Sequence, residues 1–271
     1  MTGSGFVEVA DRVFVLRHPV LDVNVTLVLG DAGALLVDTL ATTAQARELA
    51  AAVAGVTRAP LAVVNTHHHF DHCFGNAVFA DAAVYAHPEA AARLAATDPT
   101  VVWREWAGTH PSLGGLRNTD IRVPDRHVVH ETALDLGGRT VVLRHSGRGH
   151  TAGDLVVHVP DASLVVAGDL VEESGPPDFT DAYPVEWPET VAALRHLAGP
   201  RTAVVPGHGA VVDRAFLTAQ HEQLATLAWL IRAGHADGQP PEKVAAQAPF
   251  GPEVALTAVR RGYAEISGEA D

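Results

Sequence analysis

The apolar positions of this chain fall into many short runs, and their period changes along its length. Residues 6 to 38 alternate with the two-residue period of antiparallel strands, over 6–9, 12–17, 23–29 and 34–38, with Gly30-Asp31-Ala32-Gly33 as a turn. A helix is predicted over 42–53, with Leu49 and Val53 on one face, Thr42 or Thr43 as its cap and Gly55 as its stop. Pro60 then leads into Leu61-Ala62-Val63-Val64, an apolar run suited to a buried strand. A strand at 84–86 and a helix over 88–95, with Pro in its first turn, come next. Residues 97–125 have no clean period yet contain Trp103, Trp106, His110 and the Gly114-Gly115 pair. An irregular segment of that length is more often functional than idle, so it is read as a loop or short helix beside the site. Strands resume at 133–136, 140–145, 155–159 and 163–167, followed by a helix over 186–197, a strand at 203–205 and an amphipathic helix over 216–233. From Pro240 the tail reads as one or two short helices. No repeat or low-complexity linker interrupts this order, so residues 1–271 are expected to form one domain.

Composition narrows the class. At 47% hydrophobic residues the chain can build a substantial core. No run approaches the roughly 18 apolar residues of a membrane span, so no membrane role is expected. Met1-Thr2-Gly3-Ser4-Gly5 is a polar lead-in without the pattern of a secretory signal, and the single Cys rules out an intrachain disulfide. Both point to a cytoplasmic protein. The net charge of −13, with no basic cluster, would repel phosphate backbones, so no nucleic-acid partner is expected.

The densest chemistry lies in Asn65-Thr66-His67-His68-His69-Phe70-Asp71-His72, just after the apolar run. If strand geometry continues past Thr66, His67 and His69 point to one side and His68 to the other. The small-residue segment from Cys73 to Ala77 can start a helix whose first turn aims Asp71 and His72 at the same place. Imidazole nitrogen and carboxylate oxygen in this density suit a zinc-type cation better than neutral packing.

His67-x-His69-x-Asp71-His72 resembles the signature of the metallo-β-lactamase superfamily, whose pattern continues with a lone His, an Asp after a strand and a final His. This chain has His150 in Gly149-His150-Thr151, Asp169 in Ala167-Gly168-Asp169-Leu170 and His208 in Pro206-Gly207-His208-Gly209. The resemblance covers roughly residues 12 to 215. It implies an α/β fold, a four-layer αββα sandwich of two similar halves with the break near residues 145 to 150. It also implies a dinuclear centre: His67, His69 and His150 on one metal, Asp71, His72 and His208 on the other, and Asp169 bridging both. Two Zn²⁺ per chain are the expected cofactors, and the donor set would also take iron or manganese. Two such ions about 3.5 to 4 Å apart would share a water and bring its pKa near neutrality, with Asp71 as the catalytic carboxylate that orients it and passes its proton on.

The position of Asp169 is a Cys in the best-known β-lactamase branch and an Asp in the dinuclear thioester, lactone and phosphodiester hydrolases. The expected activity is therefore hydrolysis of an ester, thioester or lactone in a small or carrier-bound acyl substrate, resembling the thioesterase/cyclases of polyketide pathways. The alternatives are a mononuclear iron persulfide dioxygenase, a β-lactamase-like amide hydrolase and a non-catalytic metal-binding module. Elemental analysis separates zinc pairs, single iron and no metal.

Substrate contacts are expected from Trp103 and Trp106, and from Asp178, Tyr183 and Trp187 in and after the stiff Gly175-Pro176-Pro177-Asp178-Phe179 loop. For Tyr183 and Trp187, capping the core at the next helix is an equal expectation. His68 is assigned to packing or to supporting the ligands, as are Asn24 and Asn65; Cys73 to a small buried position; Ser146 to a strand-end hydrogen bond; Glu172 and Glu173 to a solvated acidic turn. No role is assigned to His110 or His145, and the oligomeric state stays open.

Overall fold

The N-terminal alternation becomes an antiparallel meander of β1 (Val7–Ala10), β2 (Val13–His18), β3 (Val23–Leu29) and β4 (Ala34–Val37). The apolar run after Pro60 forms β5 (Leu61–Val64), which adds parallel to β4; β6 (Ala83–Ala86) and β7 (Arg126–His127) continue the parallel edge. In this computed structural model, which describes residues 5–106 and 108–269, a second sheet holds β8 (Glu131–Asp135), β9 (Thr140–Arg144), β10 (Val156–Val159) and β11 (Leu164–Glu172) in antiparallel order. Strand β12 (Ala203–His208) lies parallel to β11. The sheets touch where β12 pairs with the start of β3, His208 opposite Val23.

Helices cover both outer faces. Parallel pairing requires crossovers, and these are α1 (Thr43–Val56) between β4 and β5, the short turn α2 (Phe70–Cys73) with a 3₁₀ segment after it, and α3 (Pro88–Ala96) and α4 (Pro99–Trp106) before β7. On the second sheet α5 (Trp187–Leu197) connects β11 to β12, and α6 (Arg214–Ala236), α7 (Pro241–Ala245) and α8 (Pro252–Ser267) follow. Helix α1 starts as predicted at Thr42, whose side chain accepts from Gln45 N while the Gln45 side chain accepts from Thr42 N.

Alternation along each strand sorts the side chains into layers. Leu35 and Val37 face the inter-sheet core with Val157, Leu164 and Val166, whereas Leu36 and Val63 face Ala46, Leu49 and Val53 of α1. On the far side Val165, Ala167 and Val204 face Leu194 of α5, Leu224 and Leu227 of α6 and Val259 of α8. The result is the αββα sandwich.

Several expectations are corrected. The break between halves falls between β7 and β8, near residue 130 rather than 145 to 150, because β8 and β9 are the outer strands of the second sheet. The expected loop or short helix over 97–125, by contrast, is there: it includes the eight-residue α4, whose Val102, Trp103 and Trp106 pack with Phe74, Leu94, Leu113 and Leu116. The tail carries one short helix and the 16-residue α8. Strand β11 runs on through Asp169 to Glu172, so Glu172 is not part of a solvated turn: it is buried.

Candidate metal centre

Strand β5 stops at Val64, and the backbone bends at Thr66–His68 instead of continuing straight through the histidines. Asp38, at the end of neighbouring β4, holds that bend. Its carboxylate accepts from Thr66 N and Thr66 Oγ1, both at 2.8 Å, and from His72 Nδ1 at 2.9 Å. Asp38 is buried and sits at φ +66°, a left-handed conformation that Asp tolerates better than most residues. Asn65 donates to Asn76 Oδ1 at 3.0 Å and Asn76 donates back to Asn65 Oδ1 at 2.8 Å, tying the end of β5 to the segment after α2. Helix α2 is a single turn carrying Asp71 and His72, both buried. On the opposite side, Asn24 donates to Pro206 O and Gly209 O and braces the turn that presents His208.

These elements bring seven side chains together. His150 Nε2 lies 2.9 Å from His69 Nδ1 and 3.5 Å from Asp169 Oδ2, which is 3.6 Å from His67 Nε2. His72 Nε2 lies 3.2 Å from His208 Nε2, and Asp71 Oδ2 is 3.7 Å and 3.5 Å from those two nitrogens. Asp169 faces both groups, with Oδ1 3.2 Å from His72 Nε2 and Oδ2 3.3 Å from His208 Nε2. Four donors around one zinc ion with bonds near 2.0 to 2.1 Å stand roughly 3.3 Å apart, and these spacings bracket that value. His67 Nε2 and Asp169 Oδ1 are buried with no hydrogen-bond partner, which is costly unless something else meets their lone pairs. A Cβ at Gly207 would lie 1.7 Å from Asp169 Oδ1, so only glycine leaves that carboxylate its place. The residues present therefore fit divalent metal ions, with His67, His69, His150 and Asp169 as one candidate set and Asp71, His72 and His208 as another.

The outer ring nitrogens are occupied in a way that aims the inner ones. Asp38 and Leu21 O face Nδ1 of His72 and His208, the latter at 2.7 Å, so that in each ring Nε2 is the nitrogen turned to the centre. His67 Nδ1 lies 3.0 Å from Thr66 Oγ1, which itself donates to Asp38. His69 reverses the pattern: its Nε2 is 3.1 Å from Asp181 Oδ1, so Nδ1 faces the centre. Asp181 also meets His68 Nε2 at 3.3 Å, which puts His68 behind the ligands and not among them. Burial works against charge on Asp181, but the hydrogen bonds from His68 and His69 outweigh it and hold that carboxylate well below its usual range.

Charge follows the same logic. Burial disfavours a charged His208, yet Asp169, Asp71 and Glu172 outweigh it and hold the ring up at about 11. Asp181, Asp71 and Asp169 likewise raise His69 to about 9 against burial. Burial prevails at His150, which drops to about 4, and at His67, which falls well below its ordinary value. Without a bound cation, protons on His69 and His208 balance the carboxylates; a metal ion would displace them.

A cleft of about 590 Å³ opens over the centre. Leu21, Phe70, Phe74, Val102 and Trp106 form an apolar wall, and Glu105, Glu172 and Asp178 add carboxylates. Of the expected substrate contacts, Trp106 and Asp178 line this cleft. Trp103 does not; it packs in the cluster beneath α4, under the Arg117 guanidinium. Tyr183 lines a separate cavity of about 60 Å³ behind His68, stacked on by Arg148. Trp187 is fully buried, donating to Leu170 O and packing against Phe179, because its position at the start of α5 points into the core. The loop bearing Asp181 is clamped by α8: Glu265 accepts from Val185 N and Glu186 N, and Arg261 donates to Asp181 O and Ala182 O. Cys73 is buried, its thiol pushed well up by burial, and it donates to His68 O and His69 O.

Sequence reasoning missed Asp38, Asn76, Asp181 and Glu172 at the centre. Only the pairing of β4 with β5, which sets Val37 beside Val64, could have pointed to Asp38.

The sequence profile of the metallo-β-lactamase superfamily matches residues 18–208, and the chain belongs to that superfamily. A type 2 metallo-β-lactamase from Bacillus cereus is 30% identical over 159 residues, 57% of this chain and 54% of that protein. The chain thus matches about half the length of that relative. An acyl-coenzyme A thioesterase from Gallus gallus is 29% identical over 189 residues, 65% of this chain and 66% of that protein. Among solved structures, a stereoselective inverting sec-alkylsulfatase from Pseudomonas sp. matches with a TM-score of 0.77 at 17% identity, over 96% of this chain and 50% of that one. A metallo-β-lactamase from Pontibacter korlensis matches with a TM-score of 0.64 at 21% identity, over 81% and 98%. These two likenesses concern the fold alone. No helix among the described residues is long and apolar enough to cross a membrane.

Proposed function

We propose that the chain is a hydrolase dependent on two divalent metal ions, zinc in the first instance, that cleaves the carbonyl of an ester, thioester or lactone. The observation that carries this reading is the shared carboxylate of Asp169, buried between two sets of imidazoles with one oxygen unpartnered. His67, His69 and His150 would hold one ion, Asp71, His72 and His208 the other, and Asp169 both. When bound, such ions supply a water acidified toward neutrality and an electrophile for the carbonyl oxygen. Asp71 reaches the centre from α2 and lines the cleft, placed to orient the attacking water and carry its proton to the leaving group. The wall of Leu21, Phe70, Val102 and Trp106 holds the acyl portion and keeps bulk water away.

The cleft also supports the choice of substrate. Among its described lining residues there is no Lys or Arg, while Glu105, Glu172 and Asp178 face it, so a substrate carboxylate finds no counter-charge outside the metal positions. That favours a neutral acyl group over the anionic β-lactams, and the thioesterase relative supports the same choice. The test is a screen of zinc-loaded protein against thioesters, lactones, phosphodiesters and a chromogenic cephalosporin. Turnover is expected with a thioester or lactone, and Asp169→Ala should abolish it with the circular dichroism spectrum unchanged. An undiminished rate in that variant overturns the dinuclear reading.

A further inference from the structure

Two carboxylates three residues apart in a regular strand point to opposite faces of the sheet. Asp169 and Glu172 do not obey this rule. Along the parallel pair of β11 and β12, Gly168 is opposite Pro206 and Glu172 is opposite His208, so β11 spends four steps where β12 spends two. The register already slips between Val166 and Gly168, and Gly168 sits at φ +55°, where a Cβ would come within 2.8 Å of the Thr66 side chain. The effect is to turn Glu172 to the same side as Asp169. One donor atom each of Asp169, Glu172 and His208 then lie within 4.8 Å of one another.

Glu172 is only 9% exposed and borders the floor of the cleft. The side-chain partner of its carboxyl is the carboxyl of Asp169. The Glu172 backbone N–H donates to Gln220 Oε1 at 3.0 Å, and Gln220 Nε2 donates to Leu170 O at 2.8 Å, which anchors the strand end from α6. A buried acid packed against a second carboxylate, with Asp169 Oδ1 beside it unpartnered, calls for a cation.

We propose that Glu172 is a further protein donor to the second metal position, joining Asp71, His72, His208 and the shared Asp169. This rests on the dinuclear reading above. The two positions then differ in kind. The first offers three imidazoles and one carboxylate, a set suited to tetrahedral zinc; the second offers two imidazoles and three carboxylates, a set suited to a harder ion of higher coordination number such as Mn²⁺ or Fe²⁺.

The test uses the full chain, stripped of metal and titrated with Zn²⁺ and with Mn²⁺, read by calorimetry, by elemental analysis after dialysis and by the electron paramagnetic resonance of Mn²⁺. The parent protein should bind two ions and take up Mn²⁺ at one position. Glu172→Gln, which keeps the shape and removes the charge, should weaken Mn²⁺ at least tenfold while one tight zinc position persists. Glu172→Asp, one methylene shorter with its charge intact, should lose less. Unchanged Mn²⁺ affinity in Glu172→Gln, or equal weakening of both positions, overturns the role of Glu172 and leaves the dinuclear reading standing. A parent protein that binds no divalent ion overturns both.

Discussion

Asp38→Asn tests whether the carboxylate behind His72 tunes the metal centre or merely braces the bend. Asparagine is the right probe because the position has φ +66°, where Asn is tolerated and Ala is strained. In the native chain Asp38 Oδ1 accepts from Thr66 N, and Oδ2 accepts from Thr66 Oγ1 and His72 Nδ1. An amide can retain the bond from Thr66 N through its own oxygen, and the Thr66 hydroxyl can rotate to accept from the new NH₂. His72 has no such freedom: facing a donor, its Nδ1 must become the acceptor, which moves the proton to Nε2 and blocks the lone pair aimed at the centre. Loss of such a supporting partner costs about 10- to 100-fold in metal affinity, or about 1.4 to 2.8 kcal/mol. The fold loses one charge-assisted hydrogen bond, worth about 1.5 to 3 kcal/mol. A competition titration against a chromogenic chelator reads the affinity, and thermal unfolding of the metal-free protein reads the stability. The reasoning is refuted if Asp38→Asn binds both ions like the parent, whatever happens to its unfolding temperature.

Other consequences follow from the same geometry. With His208 held at about 11 and His69 at about 9, metal loading at neutral pH should release protons, seen as calorimetric heats that depend on the buffer's ionisation enthalpy; buffer-independent heats would contradict it. Gly207→Ala should displace Asp169 from the imidazoles on both sides of it, since the new Cβ would lie 1.7 Å from Oδ1, and elemental analysis should show loss of bound metal; metal content equal to the parent's in a folded variant would argue against the proposed shared carboxylate. Burial raises Asp154 to about 7, so its contribution to stability is fully present below an unfolded value near 4 and is lost as pH rises through 7. That change amounts to at most roughly 4 kcal/mol, so the urea midpoint of Asp154→Asn in metal-free protein should gain on the parent between pH 4 and 8. A pH-independent difference would assign the slope to other groups.

Much of the scaffold was legible as pattern. The meander, the capping box at Thr42 and Gln45, the buried strand after Pro60 and the helix after Glu186 all follow from local periods and caps, which act over a few residues. The boundary near residue 130 was not legible, because which sheet β8 and β9 join is decided by long-range pairing. Trp103 and Trp187 illustrate the same limit. An aromatic residue beside a motif looks like a substrate contact until the rotation of its helix is known, and both of these rotate into cores.

By itself the sequence determined the donor inventory: five histidines and two aspartates in an order that resembles a known metal-binding pattern. Only the tertiary structure decided how those donors are aimed and balanced. Asp38 reaches His72 through a neighbouring strand, Asp181 reaches His69 from a loop that α8 clamps, and Glu172 turns toward Asp169 because β11 bulges against β12. Local preferences specify what each residue prefers to be, but the direction of a side chain and the charge around it depend on residues some 34 to 112 positions away, and those meet only when the strands pair and the sheets close on each other.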